Sequence, residues 1–391
     1  MAETFDVVFR GGAIKGVAFI GALKKLAASK YKTRRLIGTS AGAIFATCHA
    51  AGYTPAEMED EIKKTPDDRP VFASFVADPN TLADLSLLHQ MTLPAATTLL
   101  DKGLRLLPRL KEGGNAEGVA KKVLGLLLAG AACDDGPFRK WLADRLAAKF
   151  PEALPAKMTL KKFHEMVNKD PNRPQQLSLI ATDITSKETL ILNERTAPHL
   201  PIIDAVRMSM GIPFLWTPVT WPAGVTYTRR PGDPRIPPAA RDGHLVMDGG
   251  VLSNFPIRYL LDPRHSEPNG CLGPNPGGYA PASAIGLFLD AERQVPNLGA
   301  IPDPFPIEKI LPALGYGSLL LDTLTDSWDE DAHRELIRDP QEEKRVICRI
   351  GTKGFSWLKF DYPYEADSGP QLKYLVQSGE CAMTDFLVAR R

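Results

Sequence analysis

Two strand-to-helix turns built on glycine follow each other within the first 52 residues, and they restrict the fold more than any other feature of the chain. The β-branched and aromatic run "FDVVF" from Phe5 closes on Gly11 and Gly12, and "VAFIGALKKLAA" then carries apolar residues at helical spacing. "RRLIGTSAG" adds a second short strand and "AGAIFATCHAAG" a second helix, ended at Gly52. Strand, helix, strand, helix implies a parallel sheet with helices on its faces, because the crossover helix returns the chain to the end it started from.

Beyond Pro55 the stretch from Glu57 to Lys169 reads as mostly helical. Strand character returns in "LSLIATDI" and "ETLILN", followed by a helix in "IIDAVRMSMG" and the apolar "IPFLWTPV". The proline-rich "RRPGDPRIPPAAR" from Arg229 must be a surface loop, and it leads into "HLVMDGGVLSNFP", another strand ending in a glycine turn. A second proline and glycine loop, about Asp262 to Ser283, precedes the strands "AIGLFLD" and "RVICRI". There is no internal repeat and no linker that forces a domain boundary. With 391 residues, 44% hydrophobic and 24% charged, the chain has the balance of a soluble globular protein with a substantial core.

Several function classes lose support at this point. A net charge of +1 gives no global reason to expect nucleic acid as a partner. The five cysteines are scattered without a C-x-x-C pair, which argues against a disulfide framework or zinc site and suits a reducing compartment. The first residues lack a basic start followed by an apolar core, so no secretory signal is expected. "VLGLLLAGAAC" from Val123 is the longest apolar run and falls short of the roughly 20 residues a membrane span needs. Membrane contact is therefore expected to be peripheral.

"GTSAG", Gly38 to Gly42, is a G-x-S-x-G pentapeptide at the strand-to-helix junction. On such a turn the serine backbone is strained, its small neighbours let substrate approach, and the helix dipole favours developing negative charge. Ser40 is thus predicted to be an exposed nucleophile, with Gly38 and Gly42 supporting it. The glycine-rich turn Gly11–Gly12–Ala13, together with the N–H of Ala41, would supply an oxyanion hole. A nucleotide-binding reading fails twice: "GGAIKGVA" is not a P-loop, and Val7 to Ala56 contains no acid to hold a ribose. The same stretch carries Arg10, Lys15, Lys24, Lys25, Lys30, Lys32, Arg34 and Arg35, read either as a positive field suited to an anionic head group or as a solvated basic face. None of the seven histidines sits in a convincing catalytic turn. Asp248, at a strand end and followed by Gly249 and Gly250, is the better candidate base, provided that burial raises its pKa and brings it to Ser40.

Taken together, "RGGAIKG", "GTSAG" and "DGG" in this order resemble the patatin-like phospholipases, lipid acyl hydrolases with a Ser-Asp dyad. "ATDITSKETLI" and "AVRMSMGIPFLWTPV" resemble family segments between the catalytic motifs, and "RVICRIGTKGFSWLKFDY" and "YLVQSGECAMTDFL" resemble the tail of a bacterial branch that includes injected cytotoxins. The resemblance implies Ser40 as nucleophile, Asp248 as base, Gly11, Gly12, Ala13, Ile14, Lys15 and Gly16 on the oxyanion motif, and Lys15 meeting the lipid phosphate. It implies a three-layer α/β/α sandwich, no cofactor and no metal. The expected organisation is one domain over residues 1–391, with catalytic motifs within 5–260, a helical insertion at about 57–169 and a C-terminal extension at about 284–391.

Two departures matter. The family's Asp-Gly-Gly-Gly start is here Arg10-Gly11-Gly12-Ala13, so the leading acid has become basic and the third glycine an alanine, which can still donate its N–H but does not easily take positive φ. Within the insertion, Leu99, Leu100, Leu104 and Leu107 form a stripe opposite Lys102, Arg105 and Arg109, compatible with a lid, a bilayer contact or core packing. The resulting expectation is hydrolysis of phospholipids or lysophospholipids. A catalytically weak lipid-binding or regulatory protein and an acyltransferase stay open as alternatives. A phospholipase inside a cell needs restraint, so an activating partner, a small signalling ligand or oligomerisation is expected. The expected location is the cytoplasm, with peripheral membrane association in the active state and secretion as an effector left open.

Overall fold

The computed structural model describes residues 3–65, 70–75, 131–274, 283–298, 337, 339–356 and 359–390. The first half runs β1 (Glu3–Phe9), α1 (Ala18–Ala27), β2 (Tyr31–Thr39), α2 (Ala41–Ala50), α3 (Pro55–Lys63), α4 (Val71–Phe75), β3 (Ala131–Cys133), α5 (Gly136–Lys149) and α6 (Leu160–Val167). Then come β4 (Gln176–Asp183), β5 (Glu188–Leu192), α7 (Ile202–Met210), β6 (Phe214–Trp216), β7 (Val219–Thr220), β8 (Thr226–Tyr227), β9 (Ala239–Ala240) and β10 (Leu245–Asp248). The chain closes with α8 (Arg258–Leu261), β11 (Ala284–Asp290), α9 (Pro340–Val346), β12 (Ile347–Gly351) and α10 (Leu372–Ala389).

The main sheet has the order β12-β11-β1-β2-β4-β10-β7, with β5 also paired to β4. Its strands from β12 to β4 are parallel, and β5, β10 and β7 join antiparallel. Alternation along each strand divides the core in two. Val7, Phe9, Leu36, Leu179, Leu287 and Ile350 face one cluster, which includes α1, α2, α7 and α10. Val8, Ile37, Ile180, Phe288 and Ile347 face the other, which includes α8 and the turns beside it. Since successive strand residues point to opposite faces, two buried clusters around one sheet make three layers. The α/β/α sandwich implied by the family resemblance is the fold observed, and its parallel strands with helices on both faces are those expected from the opening turns.

The C-terminal segments belong to this body. β12 extends the sheet beside β11, and α10 lies against α1 so closely that a Cβ on Gly21 would sit 1.8 Å from the Val376 carbonyl oxygen and one on Gly379 1.9 Å from that of Ala18. Glycine on both helices lets the backbones meet. The region read as helical from 57 to 169 contains α3 to α6, but it re-enters the described body as the short strand β3, paired to β6. The stripe of Leu99, Leu100, Leu104 and Leu107 with Lys102, Arg105 and Arg109 lies outside the described residues. Among the described residues no helix is long and apolar enough to cross a membrane.

Candidate active site

β2 delivers Ser40 to the start of α2 in the conformation expected of a nucleophile turn, with φ 55° and ψ −124°. A non-glycine residue at positive φ is strained, so its surroundings must enforce it. They do: the Ser40 N–H donates to the Ser209 carbonyl at 3.1 Å, and Thr39 Oγ1 donates to the Ser253 carbonyl at 3.1 Å. The flanking glycines permit the sharp turn. A Cβ on Gly38 would stand 2.4 Å from the Gly42 carbonyl oxygen, and one on Gly42 2.2 Å from that of Phe9. The serine is 6% exposed, so the expectation of an exposed nucleophile is corrected. Sheet, α7 and the Gly11 turn wall it in, and a Cβ on Gly11 would lie 3.1 Å from that of Ser40.

Asp248 reaches the same point from the opposite direction. One edge of β4 is taken by β5, so β2 and β10 share the other. Thr39 pairs with Ile180 and Asp248 pairs with Ala181, the next residue of β4. The parallel strand β2 and the antiparallel strand β10 therefore run head to head, and their C-terminal ends bring Ser40 and Asp248 together. Helix α7 clamps the junction: Ser209 Oγ donates to the Ile180 carbonyl at 2.5 Å, and the Asp248 N–H donates to the Gly211 carbonyl at 3.1 Å. Gly249 lets the turn hug β4, since a Cβ there would be 2.3 Å from the Ile180 carbonyl oxygen.

The Asp248 carboxyl is 4% exposed, and burial pushes its pKa up to about 7 against the pull of the Gly250 N–H, the Ser40 hydroxyl and the Arg207 charge. Oδ1 accepts the Gly250 N–H at 2.7 Å, whereas Oδ2 has no hydrogen bond of regular geometry among the described residues. The Ser40 hydroxyl lies close enough to pull the Asp248 pKa down without forming a well-aligned bond to Oδ2. A carboxylate with pKa near 7 is half ionised at neutral pH and suits proton abstraction. Two of the histidines are engaged elsewhere: His49 bonds Thr33 at the far end of α2 and burial lowers its pKa to about 4, while His244 contacts Asp183 at 2.7 Å.

Beside the pair, the N–H groups of Gly12, Ala13 and Ala41 donate to no group among the described residues. Gly11 differs from its expected role in the oxyanion hole. Its N–H is donated to the Asn254 carbonyl at 2.9 Å, and its missing side chain makes room for Asn254, whose Oδ1 would be 2.0 Å from a Cβ. Ala13 also departs from expectation, for it adopts φ 47° despite its methyl group. Gly16 packs against the start of α2, with a Cβ there meeting that of Ala41 at 2.9 Å, and Gly250 sits against Asp248 Oδ1 and Asn254.

A family model described as Patatin-like phospholipase matches residues 7–261, about two thirds of the chain and every motif just located. The chain belongs to the patatin-like phospholipase family. An uncharacterized protein of Bacillus subtilis, YqhO, is 28% identical over 270 residues, covering 67% of this chain and 68% of the relative. The probable lipid hydrolase 463L of Invertebrate iridescent virus 6 is 24% identical over 253 residues, covering 64% and 61%. Among solved structures, VipD from Legionella pneumophila aligns over 100% of this patatin-like chain and 67% of its own, with TM-score 0.47 and 17% identity. The type III effector ExoU aligns over 99% and 53%, with TM-score 0.39 and 13% identity.

Four of the eight cations in the basic run, Lys24, Lys25, Arg34 and Arg35, are paired with carboxylates. Asp6, one residue before the acid-free stretch, takes both Arg34 (2.9 Å) and Arg35 (2.6 Å). Lys24 pairs with Glu59 and Glu380, and Lys25 with Glu380 at 3.5 Å. Arg10 donates to the Leu289 carbonyl and stacks 4.2 Å from the Phe288 ring. Lys15 is half-buried in the 3-10 turn Ala13–Val17, beside the candidate hole. Sequence reasoning missed Ser209, Asn254 and Arg207, all of which lie on the pair or its supports. Their signal was weak, because each is an ordinary polar residue whose partners are remote in sequence. Among the described residues no group of three or more His, Cys, Asp or Glu is arranged to hold a metal ion.

Proposed function

We propose that the protein is a serine lipid acyl hydrolase acting on phospholipids or lysophospholipids through Ser40 and Asp248. The observation that carries this reading is the head-to-head arrival of β2 and β10 on one edge of β4, which sets a strained serine beside a buried carboxyl. Asp248 takes the Ser40 hydroxyl proton as Oγ bonds to the ester carbonyl carbon, and the oxyanion is held by the N–H groups of Gly12, Ala13 and Ala41. The proton then passes to the departing alcohol oxygen, leaving an acyl-serine. Water attacks that ester, gives its proton to Asp248, and the fatty acid leaves as Ser40 is reprotonated.

Each oxyanion donor is expected to contribute on the order of a hundredfold to a thousandfold in rate. Lys15, at the mouth of the Gly12–Ala13 turn, is the candidate for the lipid phosphate. The family and the name of the viral relative support a lipid ester as substrate. ExoU has been solved with a partner protein, SpcU, and a partner or small ligand that triggers activity is part of this reading, with peripheral docking on a membrane.

The test is labelling with a fluorophosphonate, which reports an activated serine, combined with fatty-acid release from mixed phosphatidylcholine and phosphatidylglycerol micelles. Labelling mapped to Ser40, absent in Ser40→Ala and weakened in Asp248→Asn, is the expected result. Fatty-acid release that survives in folded Ser40→Ala overturns the assignment.

A further inference from the structure

Among the described residues Arg207 is the charged member of the largest fully buried side chains. It lies on α7 two residues before Ser209, its side chain is 0% exposed, and a buried guanidinium needs partners for its charge and its five N–H donors. Nε donates to Asp135 Oδ2 at 2.8 Å, Nη2 donates to the Thr217 carbonyl at 2.8 Å, and the group lies 5.8 Å from the Trp216 ring. Nη1 has no hydrogen-bond partner among the described residues. It presses on Gly211, where a Cβ would be only 2.3 Å away, and the Gly211 carbonyl is the one that accepts the Asp248 N–H.

Asp135 stands at the other end of the ion pair, immediately before α5 and after β3, whose pairing to β6 fixes it beside α7. Its Oδ2 also receives Arg139 Nε at 2.9 Å, and Arg139 Nη1 reaches Asp204 on α7 at 2.6 Å. Charge therefore alternates from the buried site outward: Arg207, Asp135, Arg139, Asp204. The last three are about a quarter to a third exposed.

We propose that this ion pair is the electrostatic brace of the catalytic carboxylate: Arg207 is a positioning residue for Asp248, and Asp135 sets how much positive charge Asp248 meets. The inference rests on the dyad reading above. Among the described residues the groups around Asp248 leave Arg207 without a charged competitor. β4 presents Ala181 and Thr182, the following turn presents the Gly250 N–H and Asn254, and the nucleophile turn presents Ser40. The nearby carboxylate Asp183 is occupied by Arg241 at 2.6 Å and His244 at 2.7 Å. Among the described residues Arg207 is the charge that acts on Asp248, and it favours the ionised form.

The two members of the pair should act with opposite signs. Arg207→Gln removes the positive charge and leaves Asp135 uncompensated, so Asp248 holds its proton to higher pH. Asp135→Asn leaves Arg207 unshielded, so Asp248 loses its proton at lower pH. The experiment is a carbon-13 NMR titration of the full chain labelled at aspartate Cγ, with the Asp248 signal assigned from Asp248→Asn, beside the pH-rate profile of fatty-acid release. The expected result is a midpoint moved by about half a unit or more, upward in Arg207→Gln and downward in Asp135→Asn, with roughly threefold rate changes on the acid limb. Shifts in the same direction, or no shift in either variant, overturn the proposal. Where Arg207→Gln does not fold, the downward shift in Asp135→Asn decides alone. NMR reads protonation without turnover, so the two readings fail separately: unmoved midpoints in an active enzyme overturn the brace, whereas opposite shifts without Ser40-dependent hydrolysis overturn the dyad.

Discussion

Asp248→Asn should make the protein more stable while abolishing its proposed base, and the gain should depend on pH. In the folded state burial raises the Asp248 pKa to about 7, against an ordinary carboxylate value of 3.8. Between those values the folded protein keeps a proton that the unfolded chain has released, so stability falls as pH rises and levels off above about 7. A difference of about three units at 1.36 kcal/mol each is on the order of 4 kcal/mol lost by the wild type across that window. Asparagine does not titrate, and its amide oxygen can still accept the Gly250 N–H. The stability difference between variant and wild type should therefore open progressively from pH 4.5 to 7 and stay constant from 7 to 8.5. With an unfolding entropy of about 2 cal/mol/K per residue over 391 residues, the full difference is about 5 °C in Tm. Scanning calorimetry of both proteins across that range cancels the titration of every other group. A Tm difference that does not change with pH would falsify the reasoning, since Asp248 would then titrate as an exposed carboxylate and serve poorly as a base.

Three further outcomes follow from the same geometry. Ala13→Gly relieves a methyl-bearing residue at φ 47° at the cost of added chain entropy, so a net stabilisation of roughly 0.5–1 kcal/mol is expected by denaturant titration, with fluorophosphonate labelling retained. Asp6→Ala strips the shared carboxylate from buried Arg35 and nearly buried Arg34 and should destabilise by about 3–5 kcal/mol; a loss below 1 kcal/mol would mean that water or Ser266 compensates. Gly42→Ala drives a Cβ to 2.2 Å from the Phe9 carbonyl oxygen, so a variant that folds should show labelling of Ser40 slowed at least tenfold, because the turn can no longer close on β1.

The parts of the site that were legible in the sequence are those written in backbone geometry. Ser40 between Gly38 and Gly42, and Asp248 before Gly249 and Gly250, announce sharp turns at strand ends, and a turn is a local property that a short window contains. Their meeting was not local. It depends on β10 filling the edge of β4 that β2 leaves free, one residue along from Thr39, and no spacing in the chain encodes that register. Charge was the least legible property. Counting from Val7 found eight cations without an acid, yet Asp6 lies one residue earlier and Glu59 and Glu380 come from α3 and α10. Arg207 gave no sequence signal of its role. In "IIDAVRMSMG" it is a single cation on a helix, yet its side chain is turned inward, and its counter-charge comes from the segment that follows β3. A cation can occupy such a position only with that remote partner in place, so the charge state of the proposed base depends on residues that carry no catalytic motif. The pH response of the site is thus a property of the packing of α7 against β3 and α5, whereas the nucleophile turn is a property of five consecutive residues.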